Sequence, residues 1–75
     1  MSLYSDYVPD AVLDELRDMG YNVGVTRFNA NETIHIENVL HSFEFYFSDP
    51  ADGSTDAKRA NKQNIKIIKA LLNLY

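Results

Sequence analysis

The 75-residue sequence has no cysteine and no tryptophan, only three glycines and two prolines, and no acid at all after Asp56. Without cysteine there is no disulfide framework, no thiolate nucleophile and no cysteine-ligated zinc or iron–sulfur centre, so a reducing compartment is the expected setting. No apolar run approaches the roughly 20 residues that cross a bilayer, and no membrane partner is expected. The opening Met-Ser-Leu-Tyr-Ser-Asp-Tyr carries neither the basic stretch nor the apolar core of a secretory leader, which predicts a soluble, cytoplasmic protein. With so few glycines, no phosphate-cradling loop is present, nor is a nucleophile elbow or a catalytic triad visible.

What the chain does have is an ordinary globular inventory: 45% apolar residues, five tyrosines and four phenylalanines. One domain over residues 1–75 is expected, with 1–7 a loose N-terminal segment. A chain this short buries only about 60% of the surface its unfolded form exposes. Net stability of about 4 to 11 kcal/mol follows from typical per-residue values. A monomer and a homodimer are both compatible with that figure.

Local patterns give the order of elements. Pro9 suits the first position of a helix and Asp10 its first turn. Val12, Leu13, Leu16 and Met19 then share one face until Gly20 ends the helix. From Tyr21 the period changes to two, with Val23 and Val25 in a first strand to about Phe28 and a turn at Asn29-Ala30-Asn31. Ile34 and Ile36 mark a second strand; Phe43, Phe45 and Phe47 mark a third and are the strongest core candidates. Ser48–Thr55 is rich in turn formers, with Ser54 or Thr55 capping a last helix. On that helix Ala60, Ile67, Ile68, Leu71, Leu72, Leu74 and Tyr75 form the apolar arc, flanked by Ala57 and Ile65. The fold class predicted is α+β, ordered α-β-β-β-α, with both helices on one face of a three-stranded antiparallel sheet. The other face would display Thr33, His35, Glu37, Glu44 and Tyr46.

Charge is segregated along this order. Residues 1–56 carry minus nine and residues 57–75 plus five. Asp10, Asp14 and Asp18 form an i, i+4, i+8 ladder on the first helix, at steps of ~6 Å, with Glu15 beside it. Lys58, Lys62, Lys66 and Lys69 form a basic stripe on the last, with Arg59 adjacent. Two readings stand: solvated faces of amphipathic helices, which could oppose each other across a groove, or surfaces free for partners. Lys58 and Arg59 at a helix start work against the helix dipole. Either an anion such as phosphate or local pairing with Asp52 and Asp56 would relieve that conflict.

The segment Gly53-Ser54-Thr55-Asp56-Ala57-Lys58-Arg59-Ala60 resembles the stretch that enters the last helix of double-stranded-RNA-binding domains. The element order over roughly residues 8–75 resembles that family as well. The resemblance implies phosphate contacts from the last helix, for which Lys58, Arg59, Lys62, Lys66 and Lys69 are the candidates. The family's lysine pair falls on Ser54 and Thr55 here, and of its basic residues only Lys58 is kept. The order is also similar to HicA-type toxins, which implies a histidine in a Gly-Ser-His setting. His35 stands in Thr33-Ile34-His35-Ile36, and no site is carried over from either family.

The acidic balance points the other way. A compact acidic surface can occupy a protein groove built for nucleic acid. In composition and element order the chain resembles small phage inhibitors, including some anti-CRISPR proteins, which implies a host-cell cytoplasm as its setting. The leading expectation is a non-catalytic protein-binding module, in its sharper form an inhibitor that mimics nucleic acid. Its acidic surface would use Asp10, Asp14, Glu15, Asp18, Glu37 and Glu44 with Tyr46, and an apolar hairpin tip would use Val39 and Leu40. The alternative is an RNA-binding module on the basic helix. No cofactor or metal is expected. His35 and Glu37 share a strand face but lack further ligands, and His41 sits near a turn. Aligning Gly53 with the glycine of a calcium loop puts Ser48 and Pro50 in ligand positions.

Overall fold

A computed structural model describes residues 2–50 and 55–73. Its elements are α1 (Asp10–Asp18), β1 (Asn22–Phe28), β2 (Asn31–Glu37), β3 (Ser42–Phe47) and α2 (Thr55–Leu71). The strands form one antiparallel sheet in the order β1-β2-β3. Both helices lie on one face, α1 over β1 and α2 over β3. The α+β class and the α-β-β-β-α order are those the sequence predicts.

Pro9 stands one residue outside α1 rather than in its first turn. Its backbone is extended (ψ 138°), and its carbonyl accepts from Val12 and Leu13 N–H at 3.0 and 3.4 Å. The far end closes as a Schellman motif: Tyr21 N–H reaches Leu16 O at 3.1 Å and Gly20 N–H reaches Arg17 O at 3.0 Å. That geometry needs a left-handed residue, and Gly20 supplies φ 99°. Tyr21, buried, then turns the chain into β1.

The β1–β2 turn is tighter than predicted. Asn31 already pairs with Phe28, leaving a two-residue loop of Asn29 and Ala30. Asn29 takes φ 57°, a left-handed conformation that a short hairpin requires and asparagine tolerates. The helix-side face of the sheet reads in three cross-strand rows: Val23–Ile36–Phe43, Val25–Ile34–Phe45 and Arg27–Glu32–Phe47. Val23, Val25, Ile34, Ile36, Phe45 and Phe47 form the core with Val8, Leu13, Leu16, Tyr21, Ile68 and Leu71, whereas Phe43, a core candidate from the sequence, is only partly buried against it.

Two departures have physical causes. On α2 the buried positions are Asn61, Ile68 and Leu71, with Ile65 and Leu72 packed beside them, whereas Ala60 and Ile67 are exposed. The helix is turned because Asn61 and Asn64 dock on the edge of β3. Asn61 donates to Ser48 O (2.7 Å) and accepts from Ser48 N–H (3.1 Å), and Asn64 donates to Tyr46 O (2.7 Å). An edge strand with unpaired backbone groups is thus covered by side-chain amides. Leu74, Tyr75 and the cap at Ser54 lie outside the described residues.

The second departure is the N-terminal segment, predicted loose. Ser2 forms an antiparallel bridge to Val25, with N–H···O distances of 2.7 and 2.9 Å. Tyr7 stacks on Phe47 with ring centroids 5.8 Å apart and donates to Ala30 O at 2.6 Å. Val8 is buried.

Candidate functional site

Alternation along three paired strands sets the composition of the open face. Its rows are Asn22–Glu37–Ser42, Gly24–His35–Glu44 and Thr26–Thr33–Tyr46, with Phe28 beyond the last. Thr33, His35, Glu37, Glu44 and Tyr46 therefore share one surface, as the sequence predicts. His35 is held across it. One ring nitrogen, Nε2, lies 3.2 Å from Thr26 Oγ1, and the other, Nδ1, lies 3.8 Å from Glu44 Oε1. A hollow of about 170 Å³ opens on this face, lined by Asn22, Val23, Gly24, His35 and Glu37.

At the same end the β2–β3 turn carries Val39 and Leu40 outward, 101% and 82% exposed. A four-residue loop would normally place polar residues there. Here Asn38 holds the turn shut. Its N–H donates to His41 O (2.8 Å), and its side-chain Oδ1 accepts from Leu40 N–H (2.9 Å) and His41 N–H (2.7 Å). His41 also leans on Phe43, with ring centroids 5.9 Å apart. The apolar pair is thus displayed on a hydrogen-bonded frame.

The acidic candidates do not form one surface. Glu37, Glu44 and Tyr46 lie on the open face, whereas Asp10, Asp14, Glu15 and Asp18 belong to α1, on the other side of the sheet. All four α1 acids are exposed, and Asp14 has local partners: it accepts from Tyr4 Oη at 3.0 Å and from Arg17 at 3.4 Å. The hydrogen bond to Asp14, reinforced by its charge, raises the Tyr4 pKa. On α2, Lys58, Arg59, Lys62, Lys66 and Lys69 are exposed. Among the described residues no ion pair joins the acidic ladder to the basic one. The helices sit over opposite edge strands, so the two ladders are separate features.

A charge cluster that sequence reasoning missed closes the opposite end of the sheet. Glu32 lies on the core side, its side chain 2% exposed, under residues 5–8. Arg27 Nε donates to it at 3.0 Å, Asp6 N–H donates at 3.0 Å, and Ser5 Oγ donates to its other oxygen. Burial alone would raise the Glu32 pKa, but the hydrogen bonds from Ser5, Asp6 and Arg27 outweigh it and hold the carboxyl below its ordinary value. Arg27 also donates to Tyr4 O at 3.1 Å and reaches Asp6 at 3.4 Å, while Arg17 donates to Leu3 O. These contacts explain why the N-terminal segment is held. The three-residue turn expected at Asn29-Ala30-Asn31 hid this pairing, because the two-residue turn is what makes Arg27 and Glu32 direct cross-strand neighbours.

Among the described residues no group of three or more histidine, aspartate or glutamate side chains is placed to hold a metal ion, and no helix is long and apolar enough to cross a membrane. In comparison with known proteins, no family model, no curated protein and no solved structure matches the chain.

Proposed function

We propose that this chain is a small non-catalytic protein-binding module whose contact surface is the open face of the sheet together with the Val39–Leu40 tip. The observation that carries this reading is the tip itself. Two apolar side chains stand fully in water on a turn that Asn38 holds with three hydrogen bonds. Exposed apolar side chains grouped on a surface mark protein contact sites, and Tyr46 adds an exposed aromatic at the far end of the same face. A turn already ordered loses little further entropy on binding.

The acids sharpen the reading toward a target that ordinarily holds a polyanion. Glu37 and Glu44 would face such a target from the open face, and the Asp10, Asp14 and Asp18 ladder from α1, in separate contacts. Inhibition by mimicry of nucleic acid is the form proposed, of the kind that small phage inhibitors use.

Affinity capture from extracts of the source cell, with the partner identified by mass spectrometry, tests both levels. Val39→Ser with Leu40→Ser is expected to lose the partner that the wild type retains, and unchanged capture refutes the proposed surface. Asp10→Asn, Asp14→Asn and Asp18→Asn combined tests the ladder, and unchanged binding removes it. Under mimicry the partner binds nucleic acid and releases this protein when nucleic acid is added; a partner indifferent to nucleic acid overturns mimicry alone.

A second reading has one observation in its favour: the five exposed bases of α2 are not neutralised by the acids of α1. It makes the chain an RNA-binding module. A salt-sensitive gel shift with duplex RNA, abolished by Lys58→Ala with Lys62→Ala, supports it, and no shift at low salt refutes it.

A further inference from the structure

We infer that the hollow above Gly24 is a binding site for an arginine side chain presented by the protein partner, an inference that rests on the open face being the contact surface. The first ground is the glycine. Gly24 sits mid-strand between Val23 and Val25, its φ is not in the left-handed region, and Gly20 is the positive-φ glycine of the described residues. The backbone therefore places no demand for glycine here. A glycine in a strand interior weakens the strand and often marks close approach of a ligand. Gly24 lines the hollow of about 170 Å³.

The second ground is the chemistry of the walls. Glu37 supplies a carboxylate and Asn22 an amide, His35 lines one side, and Glu44 stands beyond it, 3.8 Å from the ring. Arg27 is the strands' one base, and its side chain is engaged with Glu32 and Asp6 on the helix side. An anion would meet two carboxylates without a counter-charge. A cation fits, and a guanidinium fits better than an ammonium. It can fork onto a carboxylate, its plane can lie against an imidazole, and it sheds water more easily.

The probe is N-acetyl-arginine amide, titrated into the isotope-labelled full chain while amide resonances are followed by NMR, with the citrulline analogue as a neutral control. The expected result is saturable shifts at Asn22, Gly24, His35 and Glu37, half-complete at concentrations on the order of millimolar, as befits one small side chain. Citrulline gives no saturable shift. Gly24→Val, which fills the hollow on an extended backbone, and Glu37→Gln, a change at an exposed side chain, each weaken the response by about tenfold or more. Equal response to citrulline, shifts spread over the surface, or an undiminished response in both variants overturns the inference. Loss of partner capture in the Val39→Ser, Leu40→Ser variant is read separately. If that loss occurs while the arginine response is absent, the contact surface stands and the arginine site falls.

Discussion

The helix side of the sheet carries Val23, Val25, Ile34, Ile36, Phe45 and Phe47, all buried, whereas the open side carries Asn22, Gly24, Thr26, His35, Glu37, Glu44 and Tyr46. Adjacent residues of one strand thus answer to different physics. On the covered side a side chain is held by volume and by apolar area removed from water. On the open side volume is free to vary, so a glycine, a histidine and two glutamates there require an explanation other than packing. The difference marks the open face as the one whose residues can be exchanged without loss of the fold.

Phe47 and Tyr46 break or confirm that comparison most sharply. Phe47→Ala removes a fully buried ring stacked on Tyr7 and is expected to lower stability by about 3–5 kcal/mol, enough to unfold a large share of the molecules. Tyr46→Ala, one residue away, should change stability by less than about 1 kcal/mol. Urea denaturation followed by circular dichroism measures both. Similar losses at the two positions would mean that the open face is covered in solution.

Glu32, with Arg27 beside it in the same row, is the exception on the covered face, a buried charge where apolar residues rule. Glu32→Gln leaves Arg27, Ser5 and Asp6 without a charged acceptor and is expected to lower stability at neutral pH by about 1–3 kcal/mol. Because the folded carboxyl has its pKa held below the unfolded value of about 4.3, its contribution is complete above that pH and is lost as pH falls through the folded-state pKa. Wild type and variant should therefore converge in acid. Denaturation midpoints that stay parallel down to the acid limit would deny the carboxylate this role.

The line between the faces also divides what could be read from sequence. Period two in Val23–Val25, Ile34–Ile36 and Phe43–Phe47 identified both faces, and Gly20 identified the end of α1, because each depends on neighbours within a few residues. Asn61 and Asn64 were illegible: in Asn61-Lys62-Gln63-Asn64 they look like solvated surface, and only the edge of β3 reveals their partners. The Glu32 cluster was hidden for the same reason, since Ser5 and Asp6 reach it across more than twenty residues. Of the site, Glu37, Glu44, Tyr46, Val39 and Leu40 were nameable from position, but the hollow was not. It depends on Gly24 standing opposite His35, which is a matter of register. Asn61→Ala should show what that hidden docking contributes, about 1–2 kcal/mol from two hydrogen bonds made by a buried side chain. Asn64→Ala, at a half-buried position and with one bond lost, should fall below it in the same denaturation assay, and the reverse order would shift the edge contact to the wrong asparagine.

The smallest expected effect has the opposite sign and tests the comparison where it is most specific. If Gly24 answered to folding, replacing it should harm the protein. Its backbone is extended, however, so valine can be accommodated, and a β-branched residue on a solvated strand face gains both conformational restriction of the unfolded chain and contact with His35 across the pair. Gly24→Val is therefore expected to raise stability by about 0.5–1 kcal/mol while removing the hollow. A more stable protein that binds less well is the pattern of a residue kept for function at the expense of folding. A denaturation midpoint lowered in this variant would instead tie Gly24 to packing, and the open face would lose its clearest exemption from the demands of the core.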